Sequence, residues 1–145
     1  MLKPSVVAVL LLPVLSGAAV ADGASLFAEN CVACHQAGGV GTPGLAPPLV
    51  SETLKKAGSM QREYVPLVIL HGLSGPIKVK GQLYVSAMPP RSDFSDGDIA
   101  AIANYVEADL NGLKAAPLAA ADVTPLRTAT VDHQTLRDMR SKFGE

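Results

Sequence analysis

The residues best suited to chemistry in this chain are two cysteines and a histidine within five consecutive positions. Cys31, Cys34 and His35 form the pattern C-x-x-C-H, which places both thiols on one helical turn. Two thiols so placed can each add to a vinyl group of the same porphyrin, and the adjacent imidazole can then reach the iron. The pattern predicts one covalently attached haem, with Cys31 and Cys34 as attachment points and His35 as an axial ligand.

Two other kinds of site also use a pair of closely spaced cysteines. A thioredoxin-like redox pair has the same spacing but belongs in a βαβ pattern, which the sequence around Cys31 does not show. A zinc site needs two further ligands, and the remaining histidines, His71 and His133, are isolated. We therefore favour haem attachment over a redox dithiol, a zinc site or the disulfide expected by default in an exported protein.

Two predicted helices would position this motif. Gly23, Phe27 and Cys31 recur at four-residue spacing, which places them on one face of a helix that leads into the motif. A second helix is predicted over residues 95–110, with Ser95 as its N-cap. The apolar stripe of this second helix consists of Ile99, Ile102, Tyr105 and Val106.

A middle helix and a short strand are predicted between these two. The helix covers residues 61–70 and is followed by Gly72, a residue suited to a C-cap. Further along, Ile77 and Val79 alternate with two lysines before Gly81. This alternation predicts a short, half-exposed strand that turns at the glycine and forms a hairpin-like insert.

In their order along the chain, these features resemble the class I cytochrome c family over residues 22–111. The resemblance implies an all-α fold around one covalently bound haem c, with the first helix packed against the last. It also implies one-electron transfer as the function. The segment that contains Gly81 and Tyr84 is similar to one in the cytochrome subunits of periplasmic dehydrogenases and in the cytochrome domains of cbb3-type oxidases.

The resemblance also implies a sixth iron ligand. The family places a methionine between the central loop and the last helix, and Met88 stands there, followed by two prolines. Ligation by a histidine and a thioether raises the reduction potential relative to two histidines and closes the iron to oxygen. Met60 and His71 are the alternative ligands, and Met88 could instead be a flexible core residue. Without a Met88–iron bond, a haem-based sensor or a peroxidase-like enzyme becomes the alternative function.

Further residues are expected around the haem because of the same resemblance. The proline-rich loop before Leu49 matches the family loop in which a proline carbonyl accepts a hydrogen bond from the haem histidine, and we assign this role to Pro47. Leu49 itself is expected to pack on the ring. Tyr84 is expected to contact a propionate or the ring edge. Arg62 and Arg91 are candidates to offset the propionate charge.

The first 21 residues have the pattern of a signal peptide. Lys3 supplies the positive start, residues 6–15 are apolar, and residues 19–21 form an A-x-A cleavage site. A membrane-spanning helix needs about 20 apolar residues, and Pro13 interrupts this shorter run. We therefore expect cleavage after Ala21, export to the periplasm and no membrane span in the mature protein.

The rest of the chain divides into a cytochrome domain, residues 22–112, and a tail, residues 113–145. The alanine- and proline-containing start of the tail, residues 113–125, is typical of a linker. A last helix is predicted over residues 133–143 with Asp132 as its cap. One face of that helix carries Leu136, Met139, Arg140 and Phe143. The pattern leaves open whether this face docks on the domain or on a partner.

The amino-acid composition argues against some classes of function. Twelve Lys and Arg against 13 Asp and Glu give a formal net charge of −1, so the basic excess that favours nucleic-acid binding is missing. Trp is absent, and three Tyr and three Phe make a thin core that a buried macrocycle would complete. The sequence shows no pairing of a nucleophile with a base outside the haem motif. We expect an electron carrier and not an enzyme, with redox proteins as partners: a periplasmic dehydrogenase, a terminal oxidase or another acceptor.

Overall fold

The computed structural model describes residues 22–144, so the predicted signal peptide, residues 1–21, lies outside the described residues. The described chain is mostly helical, as the cytochrome c fold requires, with one small antiparallel sheet. Its α-helices are α1 (Gly23–Asn30), α2 (Val32–His35), α3 (Glu52–Met60), α4 (Tyr64–His71), α5 (Asp96–Asn104), α6 (Ala120–Val123) and α7 (His133–Ser141). Its strands are β1 (Ile77–Val79) and β2 (Gln82–Tyr84). No helix within residues 22–144 is both long and apolar enough to cross a membrane.

The first helix packs against α5, as the resemblance implies. Gly23 permits the close approach, because a Cβ at this position would overlap the Ala101 carbonyl group. One turn later, Phe27 is 2 % exposed, and its ring centroid lies 5.2 Å from that of Tyr105. Aromatic pairs at this separation stabilise beyond the area they bury. The contact fixes the end of α1, and with it the start of the C-x-x-C-H motif.

The helix predicted over residues 95–110 is confirmed in its extent. The Ser95 hydroxyl accepts a hydrogen bond from the Asp98 amide at 3.1 Å, and the Asp98 carboxylate accepts one from the Ser95 amide at 3.2 Å. These two bonds form a full capping box at the start of α5. After Asn104 the chain continues as a π-helix over Tyr105–Leu110, a change of hydrogen-bond pattern that the sequence did not indicate.

The middle helix starts three residues later than predicted. α4 begins at Tyr64 rather than at residue 61, because the Gln61 amide donates to the Ala57 carbonyl and ends α3. The sequence pattern did not predict α3, which begins after Ser51 as N-cap. Gly72 ends α4 with a φ of 73°, a conformation that favours glycine, and this confirms the predicted C-cap. Besides α3, the described residues form two further helices that the sequence analysis did not predict, α2 and α6, of four residues each.

The two strands pair antiparallel between α4 and α5. Ile77 lies opposite Tyr84, and the turn that joins the strands contains Lys80 and Gly81, both with positive φ. Positive φ angles at both positions are typical of the tight two-residue turns that match the twist of the flanking strands. Tyr84 is 6 % exposed and therefore directs the end of β2 into the body of the protein, just before the segment that contains Met88.

The tail packs on the helices instead of extending away from them. α6 lies against α5, and α7 lies against α4. Val123, Leu136 and Phe143 are each at most 2 % exposed, which is the burial expected of core residues. The stretch expected to be a linker therefore contributes Val123 to the core.

Polar contacts hold the same tail at several points. The Asp96 carboxylate at the start of α5 accepts hydrogen bonds from Thr124 and Arg127. The predicted last helix is confirmed: the Asp132 carboxylate accepts a hydrogen bond from the Thr135 amide at 2.7 Å and caps α7. These contacts hold the tail along a path from the start of α5 back to α4.

Candidate functional site

Seven of the residues predicted to hold or surround a haem line one cleft. They are Cys31, Cys34, His35, Pro47, Leu49, Tyr84 and Met88. The space between its walls is about 1350 Å³, a figure that includes the open mouth. Its other walls are mainly apolar and include Phe27, Leu54, Val65, Ile69 and Ile102. A cleft of this size and character suits a large, mainly apolar group.

His35 is oriented by the loop that contains Pro47. Its Nδ1 lies 3.0 Å from the Pro47 carbonyl oxygen. Because a carbonyl oxygen only accepts, Nδ1 must carry the proton and donate, and Nε2 keeps a free lone pair. Burial lowers the pKa of His35, although the hydrogen bond to Pro47 acts in the opposite direction. A neutral imidazole with Nε2 available is the form that binds a metal.

Cys31 is the residue between α1 and α2, and Cys34 lies within α2. Cys31 is half-buried and Cys34 is exposed. Burial raises the pKa of the Cys31 thiol, and the charge of Arg91 opposes this shift. The His35 amide donates to the Cys31 carbonyl at 2.9 Å, so the three residues of the motif share one turn. This is the arrangement that two bonds to a single porphyrin require.

Met88 is held at the cleft by its own backbone. Its amide donates to the Leu73 carbonyl at 2.8 Å, and its carbonyl accepts from the Leu73 amide at 3.0 Å. Gly72 makes room for this pairing, because a Cβ there would stand 2.6 Å from the Met88 carbonyl oxygen. These two hydrogen bonds fix the backbone of Met88 beside the cleft that this residue lines.

The two alternative ligands lie away from the cleft. Met60 ends α3 with 66 % of its surface exposed. His71, at the end of α4, has its Nε2 3.0 Å from the Leu126 carbonyl oxygen in the tail. Neither residue lines the cleft. Of the three candidate ligands, Met88 alone does so.

The two arginines expected near the propionates have different surroundings. Arg91 lines the cleft. Arg62 does not: its guanidinium lies 3.2 Å from the Glu107 carboxylate and also donates to the Ala116 carbonyl. Burial raises the pKa of Glu107 in spite of this pairing. The structure therefore places Arg62 in an ion pair with Glu107 and in a hydrogen bond to the start of the tail.

Two residues of the cleft were missed by sequence reasoning. Tyr64 and Arg140 both line it and are buried, 2 % and 8 % exposed. The Tyr64 hydroxyl and the Arg140 Nε have no hydrogen-bond partner among the described residues. The sequence does contain a signal for Arg140. It is a charged residue on the apolar face of the predicted last helix, which it shares with Leu136 and Phe143.

Comparison with protein-family models matches residues 18–106 to the family described as cytochrome c oxidase, cbb3-type, subunit III. The match spans more than half of the chain and includes the C-x-x-C-H motif and Met88. The chain belongs to the class I c-type cytochromes. Family membership decides against the redox-dithiol and zinc interpretations of Cys31 and Cys34.

Curated relatives agree with this assignment. The cytochrome is 39% identical over 152 residues to one cytochrome c-552 of Thermus thermophilus, with 99% of each chain covered. A second cytochrome c-552 of Thermus thermophilus is 39% identical over 133 residues, 86% of this chain and 98% of the relative. Cytochrome c6 of Microcystis aeruginosa is 34% identical over 85 residues, 59% of this chain and 90% of the relative. The first match therefore extends through the tail.

Membership of this family defines the cofactor and the general role. A class I c-type cytochrome binds haem c covalently and carries electrons between redox proteins; it is not an enzyme. The residues of the cleft fit this cofactor: two thiols and a neutral imidazole lie on one turn, a thioether lies in the same cleft, and the walls are apolar. The buried hydroxyl of Tyr64 and the buried guanidinium of Arg140 are hydrogen-bond donors that suit the polar edge of a haem.

Proposed function

We propose that this cytochrome is a periplasmic one-electron carrier with one haem c, whose iron is bound by His35 and Met88. The observation that carries the proposal is the shared cleft: both side chains line it, and the Pro47 carbonyl leaves His35 Nε2 as the free nitrogen. When bound, the haem iron supplies the chemistry by cycling between the ferric and ferrous states.

Each predicted site residue has a separate role in this proposal. Cys31 and Cys34 form the thioether bonds that tether the ring to α2 and to the residue that precedes it. Pro47 fixes the ring plane of His35 through its carbonyl. Leu49 and Tyr84 contribute to the haem environment, consistent with their places in the cleft wall. We assign these roles to a cytochrome domain of residues 22–112, on which residues 113–145 form a tail.

The backbone pairing of Met88 with Leu73 favours a carrier over a catalyst. A sensor or a peroxidase-like enzyme needs an open or displaceable sixth position on the iron. Two hydrogen bonds of 2.8 and 3.0 Å hold the Met88 backbone, which keeps its Cα beside the cleft. The same pairing keeps the ligand in place in both oxidation states and so limits the reorganisation that accompanies each electron transfer.

The proposed location and partners are supported by the signal-peptide pattern and by the family match. The signal-peptide pattern of the first 21 residues supports export to the periplasm. The match to a cbb3-type oxidase subunit supports exchange with respiratory proteins, and we propose that a periplasmic dehydrogenase is the electron donor. Leu45 lines the cleft and is 47 % exposed, so the mouth of the cleft offers an apolar rim for small, transient contacts of the kind redox partners form.

The test of the ligand set is the optical spectrum of the ferric protein. Thioether ligation gives ferric haem a weak charge-transfer band in the red, and we expect this band in the native protein and its loss in Met88→Ala. Met60→Ala is the matched control and should keep the band, because Met60 is exposed outside the cleft. A band that persists in Met88→Ala excludes Met88 as the ligand, and rapid carbon monoxide binding by the reduced native protein would favour the sensor function.

The donor role has its own test. A permanent dehydrogenase subunit should elute with an enzyme on size-exclusion chromatography of an untreated periplasmic extract. A diffusing carrier should elute as a monomer that still accepts electrons from the same extract. Elution as a monomer that the extract cannot reduce contradicts a periplasmic donor of either kind.

A further inference from the structure

Arg140 is a buried cation without a counter-charge among the described residues. It is 8 % exposed, and its Nε has no hydrogen-bond partner there. None of the ion pairs formed within residues 22–144 includes it. A buried, unpaired charge is strongly unfavourable, so the position of Arg140 points to an anion that residues 22–144 do not supply.

No carboxylate of the described part of the chain lines the cleft to which Arg140 belongs. Its charged and titratable lining groups are Arg91, Arg140, His35, Tyr64, Tyr84, Cys31 and Cys34. The haem would engage the thiols and the imidazole, which leaves two arginines and two tyrosines along the walls. This surplus of cations and hydrogen-bond donors suits a ligand that carries carboxylates.

Arg91 already has partners, whereas Arg140 does not. The Arg91 guanidinium lies 3.2 Å from the Asp93 carboxylate and 3.2 Å from the Asn30 side-chain oxygen. It also lies over the Phe94 ring, 3.8 Å from the centroid. Asp93 thus offsets the charge of Arg91, and the uncompensated charge at the cleft is that of Arg140.

A second unpartnered group lies on the same side of the cleft. The Tyr64 hydroxyl is buried and unpaired among the described residues. Its ring packs on Phe143, with 5.3 Å between the centroids, and the Phe143 amide donates to the Arg140 carbonyl at 3.0 Å. Tyr64 and Arg140 are therefore parts of one packed unit formed by α4 and the end of α7.

We propose that Arg140 binds a haem propionate, with the Tyr64 hydroxyl as a second donor, so that the tail completes the cofactor site of the cytochrome domain. This proposal rests on haem c binding in the cleft but not on Met88 ligation or on any particular redox partner. A guanidinium beside the haem favours the reduced state, because reduction removes one positive charge from the iron centre. Arg140 therefore raises the reduction potential and keeps the propionate ionised.

The test compares the reduction potential of the holoprotein and its Arg140→Met variant over a range of pH. Methionine keeps an apolar stem in the packed position and removes the charge. At neutral pH we expect Arg140→Met to shift the one-electron equilibrium toward the ferric form by up to tenfold, about 59 mV. Loss of the counter-charge raises the pKa of the propionate, so the pH range in which the reduction potential changes with pH should move to higher pH.

Arg137→Met is the matched control. Arg137 lies on the same helix, donates to the Ser74 carbonyl and does not line the cleft, so its removal should leave the potential and its pH profile unchanged. Arg140→Lys keeps a charge and should remain closer to the native potential than Arg140→Met. If Arg140→Met does not accumulate as holoprotein, Arg140→Gln removes the same charge and should give the same shift.

Two results would overturn the assignment. One is a potential and a pH profile for Arg140→Met that match those of Arg137→Met. The other is a lowered potential in Arg91→Met together with a native potential in Arg140→Met, which would give the propionate to Arg91. The red absorption band of the ferric protein reports Met88 ligation separately, so loss of the ligand set and failure of the Arg140 proposal are distinguishable.

Discussion

The rings of Tyr64 and Phe143 pack edge to face, with centroids 5.3 Å apart and planes inclined at 74°. Tyr64 is the first residue of α4 and lines the haem cleft, whereas Phe143 lies near the end of the tail. Both side chains are 2 % exposed. Tyr64 and Phe143 thus pack a wall of the cofactor site against the tail. A substitution at either residue should disturb the packing of the other.

Phe143→Ala should lower the free energy of unfolding of the holoprotein by about 3–5 kcal/mol, the usual cost of emptying a buried phenylalanine site. Chemical denaturation followed by circular dichroism measures this change. Leu83→Ala is the control, because Leu83 is 55 % exposed and should change the stability by no more than about 0.5 kcal/mol. Equal stabilities for the two variants would mean that the tail is not part of the core.

Gly23→Ala should lower the free energy of unfolding by about 1–3 kcal/mol, the range for overpacked sites. The new Cβ would overlap the Ala101 carbonyl, so α1 and α5 must move apart. Gly97→Ala tests the same substitution in an open position, where the nearest atom is the Ser95 Oγ at 3.7 Å. Thermal denaturation should show Gly97→Ala as stable as the native protein, or more stable by about 0.5–1 kcal/mol. A fully stable Gly23→Ala variant would contradict the close helix approach.

Glu107→Gln should make the free energy of unfolding depend less on pH in the acid range. Burial raises the pKa of Glu107 above its ordinary value of 4.5, and pairing with Arg62 only partly opposes this shift. The native state therefore holds the proton more tightly than the unfolded chain, and the free energy of unfolding falls as pH rises from the unfolded to the folded pKa. Denaturation midpoints at several pH values measure the slope. An unchanged slope in Glu107→Gln would show that another group causes it.

The exported protein should begin at Asp22. The Asp22 carboxylate accepts a hydrogen bond from the Ala24 amide at 3.3 Å and caps α1, so cleavage after Ala21 leaves the first helix with its cap intact. Mass spectrometry of the protein released from the periplasm should give the mass of residues 22–145 plus one haem. A mass that includes the first 21 residues would contradict the cleaved signal peptide.

Much of the fold could be predicted where the determining interactions are local. The caps at Ser95, Gly72 and Asp132 depend on hydrogen bonds or on a backbone conformation within a few residues, and all three are confirmed. The late start of α4 and the π-helix over Tyr105–Leu110 were missed. Those boundaries depend on how neighbouring helices and the tail pack, which short-range patterns do not contain.

For the site, the chain by itself determined the covalent chemistry. Cys31, Cys34 and His35 adjoin in sequence, and any helical turn brings them together. Resemblance to a family then supplied Pro47, Leu49, Tyr84 and Met88 as haem neighbours, and the structure brings all four to the cleft.

Only the tertiary structure decided which other groups reach that cleft. Arg62 lies outside the cleft and pairs with Glu107, whereas Tyr64 and Arg140 line the cleft. Arg140 is far from the haem motif along the chain and enters the cleft because the tail returns to pack on α4. The free energy that fixes this return comes from burying Leu136 and Phe143 against distant residues. A contact of that kind has no local signature in the sequence, since it exists only when the whole chain is folded.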